Sequence, residues 1–181
     1  MCRAAARAVR NVERTAFTSS PSGRFSTTFG ANLPEQFDRV LIDAPCTGLG
    51  ALRRRPEARW RKQPSDVPSL AALQADLLRS GLETLKPGGL LAYVTCSPHL
   101  AETRLIVDDA LKAAGGAVVQ LNTAAVLQEV TKAPLDLGST QTSVQLWPHR
   151  HGTDAMFISL LQKLPETIGA EGTDRTNRTD R

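Results

Sequence analysis

The chain has no apolar run of about 18 residues, the length that a membrane-crossing helix needs, and its N-terminus has arginines but no long apolar stretch of the kind a secretion signal carries. Neither a membrane span nor a signal peptide is expected. Aromatic residues make up only 4% of the 181 positions, so a core must rest on Leu, Val, Ile and Ala. Cysteine occurs three times, at Cys2, Cys46 and Cys96. An odd count at wide spacing argues against a disulfide framework and fits a reducing cytoplasm. Close pairs of the C-x2-C kind are missing, which excludes a zinc knuckle and a dithiol redox site. No third ligand accompanies His149 and His151, so no metal is expected, and no internal repeat is visible.

What remains is enough for one domain with a real core. Apolar content is an ordinary 41% and the net charge is +4, with a pI near 9.3. That balance weakly favours a polyanionic partner. Residues 3–14 are rich in Ala and Arg and predict a basic helix; residues 18–36 read as loop around a strand near 24–28. Val40-Leu41-Ile42 is a short β-branched run of the kind buried on both faces of a sheet, and it predicts a strand over 37–43. The strand stops where Asp43, Pro45, Cys46 and Gly48 arrive together. Leucines at 70, 73, 77, 78, 82 and 85 keep a helical period, predicting a helix over 67–85 that ends at Lys86-Pro87-Gly88-Gly89. A second buried strand follows over 90–94, running into Thr95-Cys96-Ser97-Pro98. Strand, long helix and strand make a βαβ unit with parallel strands. Further on, a helix is expected over 101–114 with Glu102 in its first turn. Short strands are expected over 118–121 and 156–161, and 146–153 reads as loop. From Glu166 the chain is polar and is expected to be disordered.

In open α/β sheets the carboxyl ends of strands form the ligand crevice. Here two such ends each deliver a cysteine. Cys96 is held by Ser97 and Pro98 near a helix N-terminus, which favours a thiolate; the competing reading is an inert, buried thiol. Asp43 suits a cationic or amide-bearing ligand at the crevice rim, or else closes a loop. Arg53, Arg54, Arg55, Arg59, Arg61 and Lys62 surround Trp60 and face one acid, Glu57. Such a segment holds phosphates and stacks a base, or it is a solvated loop with a half-buried Trp. His99 could support the Cys96 thiolate, but capping or surface roles suit all three histidines. A thiol-phosphatase loop would set five residues between cysteine and arginine. Six separate Cys46 from Arg53 and seven separate Cys96 from Arg104, so that chemistry does not fit.

The motifs DAPCTG at 43–48 and TCSPHLAE at 95–102 resemble the two cysteine motifs of RNA cytosine-C5 methyltransferases, in particular the bacterial 16S ribosomal RNA branch that carries a NusB-like domain. The likeness continues through RRRPEARWRKQPSD at 53–66, LKPGGLLAYVTCS at 85–97 and QLWPHRHGTDAMFISLL at 145–161. It implies a Rossmann-like class I methyltransferase fold of α/β type, truncated in its cofactor-loop half. It implies Cys96 as the nucleophile that adds to C6 of cytosine, Cys46 as the residue that releases product, and Asp43 near the methyl donor. It implies S-adenosylmethionine as cofactor, RNA such as 16S rRNA as partner, and a cytoplasmic location. Residues 37–163 would be the catalytic core, 1–36 a remnant of the cofactor half and 164–181 a disordered tail. The family's glycine-rich loop, Ala-Pro-Gly-Gly-Lys, and its ribose-binding acid have no match. Ser22-Gly23-Arg24 stands where the family has an Asp-Gly pair. The alternative is a non-catalytic RNA-binding remnant or a partner subunit. Nothing in the sequence signals an oligomeric state.

Overall fold

The structure is a computed structural model that describes residues 29–137 and 141–165. The expected basic helix over 3–14, the strand near 24–28, the Ser22-Gly23-Arg24 position and the polar tail from 166 lie outside the described residues.

After a one-turn helix α1 (Phe29–Asn32), strand β1 (Phe37–Asp43) leads through the first cysteine loop to a short helix α2 (Ala58–Arg61). Helix α3 (Asp66–Thr84) then returns the chain to β2 (Leu85–Thr95). The two strands are parallel, with Val40 beside Leu91 and Ile42 beside Tyr93, so the expected βαβ unit is present. A 3-10 turn (Leu100–Glu102), α4 (Arg104–Ala113), β3 (Val118–Gln120) and α5 (Thr123–Val130) follow. The chain closes with β4 (Ser143–Gln145), α6 (Pro148–His151) and β5 (Phe157–Lys163). The sheet order is β1-β2-β5-β3, with β4 also on β5. β5 runs antiparallel to β2, β3 and β4. Thr95 therefore faces Phe157, and the chain entering β5 arrives at the sheet end where β1 and β2 leave it.

The core lies between the sheet and helices α3 and α4. Leu78, Leu85, Leu91, Tyr93 and Leu161 are fully buried in it, and the Tyr93 and Phe157 rings meet edge to face at 6.3 Å. Aliphatic side chains dominate, as the scarcity of aromatics required. Helix α3 lies close on the strands because it carries Gly81. A Cβ there would stand 2.7 Å from Ile42 Cδ1 and 3.0 Å from Leu91 Cδ1.

Several expected boundaries move for local reasons. β1 is buried on one face only: Val40 and Ile42 are inside, while Leu41 is 56% exposed. The core lies against the face that carries Val40 and Ile42, so the side chains on the other face need not be apolar. Leu85 belongs to β2, and the Pro-Gly-Gly segment bends within that strand, Gly88 taking φ +80°. The helix expected from 101 starts at Arg104, because Thr103 breaks the turn at φ −130°, ψ −100°. The loop expected over 146–153 contains α6, with proline at its start and left-handed Gly152 at its end.

Filling the space at Gly81 tests the packing. Gly81→Leu is expected to lower stability by about 1–3 kcal/mol, the usual cost of an overpacked core, read as a lower urea midpoint at unchanged slope.

Candidate active site

Three segments converge at the carboxyl ends of β1 and β2. The strands end in register: Asp43 pairs with Val94, and Ala44 N–H donates to Val94 O at 2.9 Å. Gly48 then turns the chain with φ +74°. Gly50 ties all three segments together. Its N–H donates to Cys96 O and its carbonyl accepts from Ala155 N–H, both at 2.9 Å. A Cβ at this position would lie 2.1 Å from Ala155 O and 2.8 Å from Cys96 O, against rigid backbone. Only glycine permits that approach.

The loops place Cys46 Sγ and Cys96 Sγ 3.4 Å apart, within hydrogen-bonding distance for sulfur. Both thiols are free and partly exposed. The bond from Cys46 lowers the Cys96 pKa to about 7, against the opposing effects of burial and of the Asp43 and Asp154 charges. The same bond, with burial and then the Glu102 charge, pushes the Cys46 thiol far up. The pair is thus asymmetric: Cys46 keeps its proton and donates it toward the Cys96 sulfur. A thiolate, not a thiol, is the nucleophile.

Beneath the sulfurs lies a fully buried carboxylate, Glu102. Its Oε1 accepts from Thr47 N–H at 2.7 Å and from Gln74 Nε2 at 3.3 Å. Its Oε2 accepts from the hydroxyls of Thr47 and Ser97, each at 2.6 Å. Gln74, on α3, also donates to Pro45 O at 2.8 Å. Tyr93 OH donates to Glu102 O at 3.0 Å, and burial pushes that phenol's pKa up.

The other expected site residues divide into two groups. Asp43 is exposed at the end of β1, close enough for its charge to act on Cys96. Arg54 is engaged: its Nε donates to Asp154 Oδ1 and Oδ2 at 3.0 and 2.9 Å. That guanidinium holds the buried Asp154 carboxyl below the usual range. Arg53, Arg55, Arg59, Arg61 and Lys62 are exposed, and Trp60 is 80% exposed rather than half-buried. Histidine serves as a cap. His99 Nδ1 accepts from Ala101 N–H, and His151 Nδ1 accepts from Trp147 N–H. No group of three or more metal-ligating side chains occurs among the described residues, and none of their helices is long and apolar enough to cross a membrane. An open polar hollow bounded by Arg104, Asp108 and Gln120 contains no residue of either cysteine motif.

Sequence reasoning missed Glu102, Gln74 and Asp154 as parts of this assembly. A usable signal was present: Cys46 and Cys96 are each followed directly by a hydroxyl residue, Thr47 and Ser97.

Two outcomes follow from this geometry. Alkylation of Cys96 by iodoacetamide rises with pH as thiolate forms, with a midpoint near pH 7 in the folded chain against about 8.5 in denaturant. Cys46→Ala moves the folded midpoint upward, because it removes the largest cause of the lowering. Gly50→Ala is expected to cost more than about 2 kcal/mol, a backbone clash that no side chain can relieve, measured by thermal melting.

The model of the family described as 16S rRNA methyltransferase RsmB/F matches residues 7–162. A Mycobacterium tuberculosis H37Rv protein, Rv1407, named provisionally as a methyltransferase, is 56% identical over 133 residues, covering 74% of this chain and 28% of that one. Ribosomal RNA small subunit methyltransferase F of Serratia proteamaculans is 32% identical over 155 residues, covering 86% of this chain and 30% of that one. The crystal structure of a methyltransferase homologue from Pyrococcus horikoshii superimposes with a TM-score of 0.58 at 30% identity, covering 78% of this chain and 44% of that one. The chain therefore spans under a third of the length of these two curated relatives. Its mixed sheet is of the Rossmann-like methyltransferase type, and the chain belongs to the 16S rRNA methyltransferase RsmB/F family.

Proposed function

We propose that the chain carries the thiols of a ribosomal RNA (cytosine-C5) methyltransferase, with Cys96 as nucleophile and Cys46 as the residue that releases product. The observation that carries this reading is the thiol pair itself, two sulfurs 3.4 Å apart at adjacent strand ends. Cytosine C5 is a poor nucleophile. Addition of the Cys96 thiolate to C6 breaks the C5–C6 double bond and leaves its electrons on C5, so one hard step becomes two easier ones. Once those electrons have bonded C5 to the methyl group, loss of the C5 proton to a base re-forms the C5–C6 double bond and expels Cys96 as thiolate. Cys46 lies within reach of that adduct and is the group assigned to its breakdown.

The cofactor is S-adenosylmethionine, which supplies the methyl group when bound. Asp43 fits one end of it: an exposed carboxylate, close to Cys96, suits a cationic ligand. Asp43 would be one contact of a cradle that requires others. Arg53, Arg55, Arg59, Arg61 and Lys62 are free to meet phosphates, and exposed Trp60 to stack a base. The target base must leave its stack to reach Cys96. Action on ribosomal RNA implies a cytoplasmic location.

A second reading, an RNA binder that turns nothing over, draws on that exposed basic surface. Titration calorimetry with S-adenosylmethionine and labelled methyl transfer to 16S rRNA separate the two. For the enzyme, Cys96→Ala abolishes transfer, and Cys46→Ala accumulates a protein–RNA adduct that survives detergent. For the binder, cofactor binding and transfer are absent from the wild-type chain, while RNA affinity persists in Cys96→Ala. In either case Trp60→Ala is expected to weaken RNA binding by about 1–3 kcal/mol, the range for one stacked base.

A further inference from the structure

We infer that Glu102 is a positioning residue of the thiol pair: one buried carboxylate grips the residue that follows each cysteine and so holds Cys46 and Cys96 at hydrogen-bonding distance. The inference rests on the catalytic reading above and deepens it.

The geometry is direct. Thr47 follows Cys46, and Ser97 follows Cys96. Glu102 Oε2 takes both hydroxyls at 2.6 Å, and Oε1 takes the Thr47 N–H at 2.7 Å. The hydroxyls themselves come within 3.4 Å of each other. The Sγ–Sγ spacing of 3.4 Å is thus spanned from below by a single side chain. The carboxylate is itself immobilised. Glu102 N–H donates to His99 O at 2.9 Å, its carbonyl accepts from Tyr93 OH, and Gln74 backs Oε1. The break at Thr103, which separates the 3-10 turn from α4, turns the side chain inward instead of leaving it on a helix surface.

Packing alone does not require a carboxylate here. Replacing the carboxylate alone by an apolar residue would strand the Thr47 amide, the Thr47 and Ser97 hydroxyls and the Gln74 amide without this acceptor. What an apolar residue cannot do is accept hydrogen bonds from two loops at once. The charged groups facing the pair are Asp43, Asp154 and Arg54 toward Cys96, with Glu102 toward Cys46. Separating the sulfurs removes the Cys46 hydrogen bond and leaves Cys96 with mostly acidic neighbours.

The test uses the full chain with neither cofactor nor RNA. Cys96 and Cys46 are alkylated with iodoacetamide at pH 7, and the ratio of their rates is read by peptide mass spectrometry, alongside thermal melting. The wild type favours Cys96 strongly. In Glu102→Ala the ratio falls at least about tenfold as thiolate selectivity is lost. Glu102→Gln keeps it within about threefold, because the Thr47 and Ser97 hydroxyls can accept from an amide as well as donate. If Glu102→Ala does not fold, Ser97→Ala and Thr47→Val take its place, each cutting one grip and lowering the ratio. An unchanged ratio in a folded Glu102→Ala, or in both hydroxyl variants, overturns the inference. So does a Glu102→Gln ratio as low as that of Glu102→Ala, since the field of the charge would then outweigh its grip. Selectivity is measured without methyl transfer, so an inactive chain leaves this test intact, and an unaltered ratio leaves the transfer reading standing.

Discussion

A buried carboxylate is costly unless hydrogen bonds replace its water, and the site depends on how Glu102 meets that demand. Transfer of an unpaired carboxylate into a protein interior costs several kcal/mol. Four donors converge on this one: the Thr47 amide and hydroxyl, the Ser97 hydroxyl and the Gln74 amide. Hydrogen bonds to a charged acceptor are worth about 1.5–3 kcal/mol each, enough together to hold the group inside. The donors come from three elements distant in sequence. The Glu102 carboxylate is stable only when the β1 loop, the β2 end and helix α3 are all in place, so its desolvation couples the formation of the site to the formation of the fold.

The sheet supplies the coarse placement that the carboxylate refines. Parallel pairing of β1 and β2 brings both cysteine loops to one end. Antiparallel β5 delivers Asp154 and Ala155 to the same corner from the opposite direction. Gly50 is where these segments meet, bonded on one side to Cys96 O and on the other to Ala155 N–H. Asp154 is drawn in with them and is neutralised by Arg54, whose exposed guanidinium begins the basic stretch. Arg54 is thus engaged by the fold, while Arg53 and Arg55 beside it face solvent.

Much of this was legible in the sequence where a local rule acts alone. The leucine period of α3, the β-branched run of β1 and the Pro-Gly-Gly bend gave the βαβ unit and hence the meeting of Cys46 with Cys96. Its limits were equally physical. The double burial expected for Leu41 assumed two covered faces, whereas the core meets the face that carries Val40 and Ile42 and leaves Leu41 exposed. Glu102 reads as an ordinary first-turn acid, because a helix template places it on a surface. Only the tertiary demand of Thr47 and Ser97 for an acceptor turns it inward. Trp60 could not be placed by pattern, since a tryptophan among arginines satisfies a buried and an exposed reading equally. Asp154 gave no signal, because its partner Arg54 lies 100 residues away in sequence.

Two thiols in contact serve covalent chemistry only if they differ. If both were protonated, neither would attack; if both were ionised, the charges would repel, which is why coupled groups at short range share one proton. Here the difference has a structural origin. On Cys46 the bond to Cys96 and burial do most to disfavour the charged form, and the Glu102 carboxylate adds a smaller effect in the same direction. Cys96 has Asp43 and Asp154 about it, yet Arg54 offsets Asp154 and the Cys46 S–H stabilises the charge on Cys96 sulfur directly. The hydrogen bond outweighs the acids because it acts at 3.4 Å, whereas the field of an exposed carboxylate such as Asp43 is weakened by water. The carboxylate that holds the loops together therefore adds, as the smaller effect, to the bond and the burial that keep the proton on Cys46, and the thiol on which it does not act is the one at the end of the central strand β2.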